Sequence, residues 1–136
     1  MFGWFGKQPQ SRVPTSLEKL QGEWKVIRIG KNGNRAPRLL MWIVRIRFRI
    51  DNDRYITSAR GETIEEGRLT LQPHEEFAYL DQHVETGDDA GKTHLGIIRF
   101  VNGKLEHLQA DVGDERPSGF PYSTATKAHM ALTRRV

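Results

Sequence analysis

The stretch Leu20-Gln21-Gly22-Glu23-Trp24-Lys25-Val26-Ile27 decides the fold of this chain. A tryptophan shortly after a glycine, at the start of a β-prone run, is typical of the first strand of a small closed barrel. The chain ends in Leu132-Thr133-Arg134-Arg135, which has the composition of a final strand. That strand can return beside the first, so the two ends together predict a closed sheet.

Alternation between these ends predicts strands separated by turns. The clearest segment places Val44, Ile46, Phe48 and Ile50 on one face and Arg45, Arg47 and Arg49 on the other. Period 2 indicates a strand with one buried and one solvent face. We predict a mostly antiparallel all-β fold of eight strands. An up-and-down barrel is favoured over a two-sheet sandwich, because closure removes exposed strand edges.

Asn102-Gly103 is the strongest hairpin signal in the chain, since this pair favours a two-residue type I′ turn. Such a turn sets Val101 opposite Lys104 and Arg99 opposite Glu106. The pairing of opposite charges suits a solvent face. The alternate positions, His107 among them, are therefore expected to face the interior.

Length and composition fit one folded domain of 136 residues. Residues 1–16 contain several glycines and prolines and are predicted to form an N-terminal tail, with residues 17–136 as the barrel domain. The chain has no cysteine, which excludes disulfides, thiolate catalysis and cysteine zinc sites.

Charge and hydropathy limit the partners. Lys and Arg number 21 against 17 Asp and Glu, a modest excess that is more typical of a solvated surface than of nucleic-acid binding. The N-terminus lacks the features of a secretory signal, and no run approaches the roughly 20 apolar residues of a membrane span. We therefore expect a cytoplasmic protein without a nucleic-acid partner. The oligomeric state is left open.

Further motifs follow the opening stretch in order: Gly91-Lys92-Thr93-His94-Leu95-Gly96-Ile97 and Arg116-Pro117-Ser118-Gly119-Phe120. The combined pattern LQGxWK…GKTxLGI…RPxxF resembles a planctomycete-type family of small uncharacterised bacterial domains that look lipocalin-like. The resemblance covers residues 17–135 and brings no established activity. In lipocalins the tryptophan of the first strand packs under an arginine from the far end of the chain, which here implies a contact between Trp24 and Arg134.

Polar residues at inward positions indicate where a ligand could bind. His107 and Gln109 face inward on the strand after the hairpin turn, and Gln82 shares a face with apolar neighbours. An unpaired polar group there costs about 1–3 kcal/mol, so these groups either pair with each other or water, or line a cavity. The predicted ligand-binding residues are Tyr55, Gln82, His107 and Gln109, with Arg116 and Phe120 in a loop over the mouth. The expected ligand is small and apolar or amphipathic.

No motif supports catalysis or a cofactor. The five histidines (His74, His83, His94, His107 and His129) lack ligand spacing such as HxH or HExxH, so no metal site is predicted. No G-x-S-x-G motif or glycine-rich phosphate loop is present. We therefore expect a binding protein and not an enzyme.

The arginine stripe supports an alternative function. Arg45, Arg47 and Arg49 would form a basic face for a protein partner, on a barrel whose core is filled. The simpler interpretation is a solvated face neutralised by Glu62, Glu65 and Glu66. The size of the interior cavity separates this alternative from ligand binding.

Overall fold

Antiparallel strands make up almost all of the regular structure in a computed structural model, which describes residues 11–123 and 126–136 except for the side chains at 42 and 43. The strands are β1 (Ser11–Arg12), β2 (Gly22–Lys31), β3 (Asn34–Arg35), β4 (Ile46–Asp51), β5 (Arg54–Ala59), β6 (Glu62–Pro73), β7 (Ala78–Thr86), β8 (Thr93–His94), β9 (Gly96–Val101), β10 (Lys104–Gln109) and β11 (His129–Arg135). A 3₁₀ turn (Leu17–Leu20) and a short helix α1 (Arg38–Val44) complete the elements.

Eight of these strands close into one antiparallel barrel. The order around the barrel is β9-β10-β11-β2-β4-β5-β6-β7, and β7 returns to β9 through Ala78 opposite Ile98. Neighbours in space are neighbours in sequence apart from the closing pairs, as in an up-and-down barrel. The predicted fold class is confirmed, including the pairing of the first long strand, β2, with the last, β11.

The β9–β10 hairpin has the predicted register. Asn102 and Gly103 both have positive φ, 51° and 78°, as a type I′ turn requires. Val101 pairs with Lys104, and Arg99 pairs with Glu106 and forms an ion pair with it at 2.8 Å. His107 consequently faces the interior, opposite Ile98.

Strand alternation produces two hydrophobic cores, one inside the barrel and one outside it. The inner core comprises Leu20, Trp24, Ile50, Tyr55, Leu69, Ala78, Leu80, Ile98 and Leu105. The outer core comprises Ile97, Leu108, Tyr122, Ala128 and Met130. Ile97 and Leu108 point outward from β9 and β10 and are buried because the segment after β10 folds back over them. That segment therefore belongs to the wall of the barrel.

Trp24 fills the end of the barrel that the 3₁₀ turn covers. Its side chain is 1% exposed, and its indole N–H donates to the carbonyl of Leu20 at 2.8 Å. The guanidinium of Arg135 lies 4.2 Å from the indole centroid and donates to the carbonyls of Lys19 and Gln21. The predicted contact of Trp24 with Arg134 is wrong, because the arginine over the indole is the next residue, Arg135. Arg134 pairs with Lys25 and alternates with the buried Thr133, so it points outward.

Two boundaries differ from the prediction. Residues 1–10 of the predicted tail lie outside the described residues, but Ser11 and Arg12 pair with β9 and Pro14 is fully buried. The folded unit therefore begins by Ser11. The predicted stripe also loses a member, because α1 occupies residues 38–44 and Arg45 ends it in a left-handed conformation, with φ 50°, before β4 begins.

None of the helices in the described ranges combines the length and hydropathy needed to span a bilayer.

Replacing Arg135 tests how this end of the barrel is held. We expect Arg135→Ala to lower the free energy of unfolding by about 1–2 kcal/mol, since it removes a cation–π contact and two charge-assisted hydrogen bonds. Urea denaturation gives the value. The matched variant Arg134→Ala should stay within about 0.5 kcal/mol of the parent, as surface substitutions usually do. Equal losses in both variants would contradict this assignment.

Candidate functional site at the open end of the barrel

The interior is open at the end opposite Trp24. A cavity of about 700 Å³ lies there, between an apolar wall and a polar wall. The apolar side includes Val26, Ile29, Ile46, Phe48 and Ala131, and the polar side includes Glu65, Asp89, His94, His107 and Gln109. Below the cavity the inner core leaves a void of only about 30 Å³. The barrel is thus packed in one half and open in the other.

His94 is anchored on both ring nitrogens. β8 and β9 are separated by Leu95, and His94 precedes this break with its side chain buried. Its Nδ1 lies 2.9 Å from the carbonyl oxygen of Ala110, and its Nε2 lies 2.8 Å from Oδ2 of Asp89. A carbonyl oxygen only accepts, so Nδ1 carries a proton and Nε2 faces the carboxylate.

Glu65 reaches the same wall from β6. Thr57 is its cross-strand partner, and the hydroxyl of Tyr55 donates to its Oε2 at 2.8 Å. Burial, and then the hydrogen bond to Glu65, raise the pKa of Tyr55 far above its usual value, which keeps the hydroxyl a donor. Ligand atoms of Glu65, Asp89 and His94 all lie within 4.8 Å of one another.

His107 lines the cavity as a neutral imidazole. It is 7% exposed, and its buried Nε2 has no hydrogen-bond partner among the described residues. Burial, and then the nearby charge of His94, lower its pKa to about 4. Its ring occupies the space beside Gly96, where an added Cβ would lie 2.8 Å from Nε2. Because Gly96 has no side chain, the imidazole of His107 fits beside it.

One hydrogen bond joins the two inward glutamines. Gln109 Nε2 donates to Oε1 of Gln82, whose side chain is 2% exposed. Mutual pairing was one of the two interpretations that the sequence left open, and it holds for this pair. His107 does not share in it, because its Nε2 remains unpartnered.

The structure separates the predicted ligand-binding residues into three places. His107 and Gln109 line the cavity at the open end, and His107 also borders the small void below it. Tyr55 and Gln82 lie deeper and line the small void. Arg116 and Phe120 lie on the outer wall, so the prediction that their loop covers the mouth is wrong.

Contacts of the loop explain this placement. Arg116 pairs with Asp81 at 2.5 Å, donates to the carbonyl of Gly96 and lies over the ring of Tyr79. Phe120 packs against Phe77 and under the guanidinium of Arg99. These partners point away from the interior. The outward Ile97 and Leu108 must be shielded from water, and the loop supplies the cover.

Sequence reasoning missed Glu65 and Asp89 as site residues. Glu65 was interpreted as neutralising the arginine stripe, although its alternation with Leu69 and Gly67 places it inward. Asp89 lies in the loop between β7 and β8, where no periodicity indicates direction. His94 and His107 both line the cavity, although the spacing of the histidines did not indicate that any of them belongs to a metal site.

A further charged group stands at the rim. Asp111 accepts from Lys31 Nζ at 3.2 Å and from His129 Nε2 at 2.7 Å. The hydrogen bond from His129 is the main cause that lowers the pKa of Asp111. This pairing ties β2 and β11 together where they border the cavity.

Comparison with protein families, with characterised proteins and with solved structures finds no match to this chain. The resemblance to planctomycete-type domains stays a prediction.

The buried His107 predicts a specific loss of stability in acid. In the unfolded chain this histidine is protonated below pH about 6.5, whereas in the folded chain it is protonated only below pH about 4. The free energy of unfolding should therefore fall by about 3 kcal/mol over that interval, relative to a variant without the group. Urea denaturation of the parent and of His107→Gln from pH 7 to pH 4 measures this difference. His83→Gln, on the outer wall, should keep the parental slope; identical slopes in the parent and His107→Gln would overturn the assignment.

Gly96 provides a steric test of the same histidine. An added methyl group would press on His107 and on the carbonyl oxygens of Leu108 and Leu80 at 2.9 Å. We expect Gly96→Ala to cost about 1–3 kcal/mol of unfolding free energy, as overpacking usually does. Adding His107→Ala should recover part of the loss in a double-mutant cycle. Gly119→Ala, where the nearest atom is 3.9 Å away, is the control and should be nearly neutral.

Proposed function

We propose that this protein binds a small amphipathic molecule in the open half of its barrel and does not catalyse a reaction. The cavity carries this proposal, because a volume of about 700 Å³ lies in the range of about 300–1,000 Å³ typical of small-molecule sites. A closed β-barrel is compatible with such a role. The packed half gives the cavity a rigid floor.

The two walls suggest how the ligand lies. An apolar portion would contact Val26, Ile46 and Phe48, and each buried CH₂ would contribute about 0.8 kcal/mol. A polar portion would lie toward His107 and Gln109. The unpartnered Nε2 of His107 supports this orientation, since a ligand group could satisfy it.

The alternative, a protein-interaction module with a filled core, has less support. The interior is filled in one half only. The basic face is also weaker than the sequence indicated, because Arg45 lies outside β4 and Arg47 pairs with Glu23 at 3.3 Å. Arg49 remains on the strand as predicted.

Native mass spectrometry of the protein purified from its own host tests the two functions together. Ligand binding predicts a population that is heavier by one small molecule and is lost on organic extraction. A protein partner and no small-molecule adduct would favour the alternative. The measurement also reports the oligomeric state.

Filling the cavity should abolish binding. Ala131 lines the cavity from β11, and Ala131→Phe places a ring in the space that an apolar ligand needs. We expect at least tenfold weaker binding of a fluorescent fatty-acid probe, measured by fluorescence titration. Glu75→Phe adds the same ring at an exposed position in the turn at the opposite end and should bind the probe like the parent. Unchanged binding by Ala131→Phe would contradict the proposal.

A further inference from the structure

We propose that Glu65, Asp89 and His94 form a binding site for one divalent first-row transition-metal ion in the polar wall of the cavity. The three residues come from β6, from the loop after β7 and from β8, and their ligand atoms lie within 4.8 Å of one another. This inference needs no organic ligand, so it stands apart from the function proposed above.

The hydrogen bonds of His94 are the first argument. Its Nδ1–H donates to the carbonyl of Ala110, which leaves the lone pair of Nε2 directed at the carboxylate of Asp89. At 2.8 Å these two atoms are at the distance of a hydrogen bond, and a metal ion bound to Nε2 would take the place of the shared proton. Histidines that bind a metal through one ring nitrogen usually donate the N–H of the other ring nitrogen to a carbonyl, a carboxylate or water.

Electrostatics favours the cation. Asp89 and Glu65 bring two carboxylates to the edge of one imidazole, and like charges at such distances are unfavourable unless a positive charge offsets them. A divalent ion held by the three side chains offsets both charges.

The geometry requires only small adjustments. Ligand atoms around a tetrahedral ion, each about 2.0–2.1 Å from it, stand about 3.4 Å apart. Modest rotation of the two half-buried carboxylates would reach that spacing. The Oδ2 of Asp89 would move away from the Nε2 of His94, which is now 2.8 Å from it, and the widest separation in the cluster would shrink from its limit of 4.8 Å. Three protein ligands leave a coordination position open toward the cavity, as in metal sites that also bind water or a ligand.

Unsatisfied polar atoms flank the cluster. They support a bound ion independently of the hydrogen bonds of His94. Thr57 is the cross-strand partner of Glu65, and its buried Oγ1 has no hydrogen-bond partner among the described residues. His107 Nε2 lies above Gly96 on the same wall as His94, also without one. Both side chains are more than nine-tenths buried. Such atoms are expected beside a bound ion that carries water or a ligand oxygen.

The donor set selects the class of ion. Imidazole nitrogen with carboxylate oxygen suits zinc, iron(II), cobalt and manganese. Calcium prefers six to eight oxygen ligands, and magnesium retains most of its water. A single buried imidazole therefore favours a transition-metal ion over both.

Cobalt titration of the full chain, stripped of metal with EDTA and dialysed, tests the site. We expect one Co²⁺ per chain, a visible ligand-field absorption, and displacement by Zn²⁺ but not by an equal concentration of Ca²⁺. His94→Ala and Glu65→Gln should each weaken Co²⁺ binding at least tenfold, because each removes a ligand. Glu65→Gln keeps an acceptor for Tyr55, so the wall should remain folded.

Matched controls use the outer wall. His83→Ala and Glu66→Gln remove the same types of group outside the cluster and should bind Co²⁺ like the parent. Circular dichroism confirms the fold of each variant, and Asp89→Asn, on a loop, replaces any variant that fails to fold. Absence of saturable binding, equal binding by His94→Ala, or equal preference for Ca²⁺ would each overturn the proposal. Fatty-acid probe binding measured with EDTA present reports on the organic ligand separately.

Discussion

The packed end of the barrel depends on the contact between the Arg135 guanidinium and the Trp24 indole. One guanidinium stacks on the indole and also satisfies two carbonyls of the segment that leads into β2. These contacts hold β11 against β2 at the end of the barrel that contains the inner core. Because this end is filled by large side chains, the opposite end can remain open without loss of closure.

The open half of the barrel has one wall that is mainly apolar and one that is mainly polar. β2, β4 and β11 contribute aliphatic and aromatic surface, whereas the opposite wall carries Glu65, Asp89, His94 and His107. Further charged groups, Lys31, Asp111 and His129, lie at the rim. Polar groups in a barrel interior are costly unless they are paired. Gln82 and Gln109 are paired with each other, but His107 and Thr57 are not. Two unpartnered groups beside Glu65 and His94 are what a binding site for a polar group, or for an ion with its bound water, would leave. The third unpartnered atom among the described residues, Nε of Arg28, lies on β2.

The segment after β10 illustrates why fold and site have to be distinguished. Arg116 and Phe120 belong to a motif that suggested a lid, yet their contacts are structural. The outward faces of β9 and β10 carry Ile97 and Leu108, which a solvent-facing wall would not tolerate. Covering them stabilises the wall that holds His94 and His107 on its inner side. The loop thus supports the candidate site from behind.

Local pattern was enough for much of the architecture. Period 2 in β4, the Asn102-Gly103 turn and the β-prone opening and closing stretches predicted strands, one register and the closure. The same alternation placed Gln82, His107 and Gln109 inside. It failed where alternation is interrupted or absent: at Arg45, where a helix ends in a left-handed residue, and at Asp89, in a loop.

The sequence by itself determined the barrel and the inward direction of Gln82, His107 and Gln109, since both follow from side-chain alternation and turn chemistry. Only the tertiary structure decided that the core fills one half, that Arg135 and not Arg134 meets Trp24, and that Glu65, Asp89 and His94 converge. These depend on strand stagger, on a register shift between β2 and β11 at Ile27, and on the path of a loop. Such features arise from contacts between residues far apart in the chain, which no local period encodes.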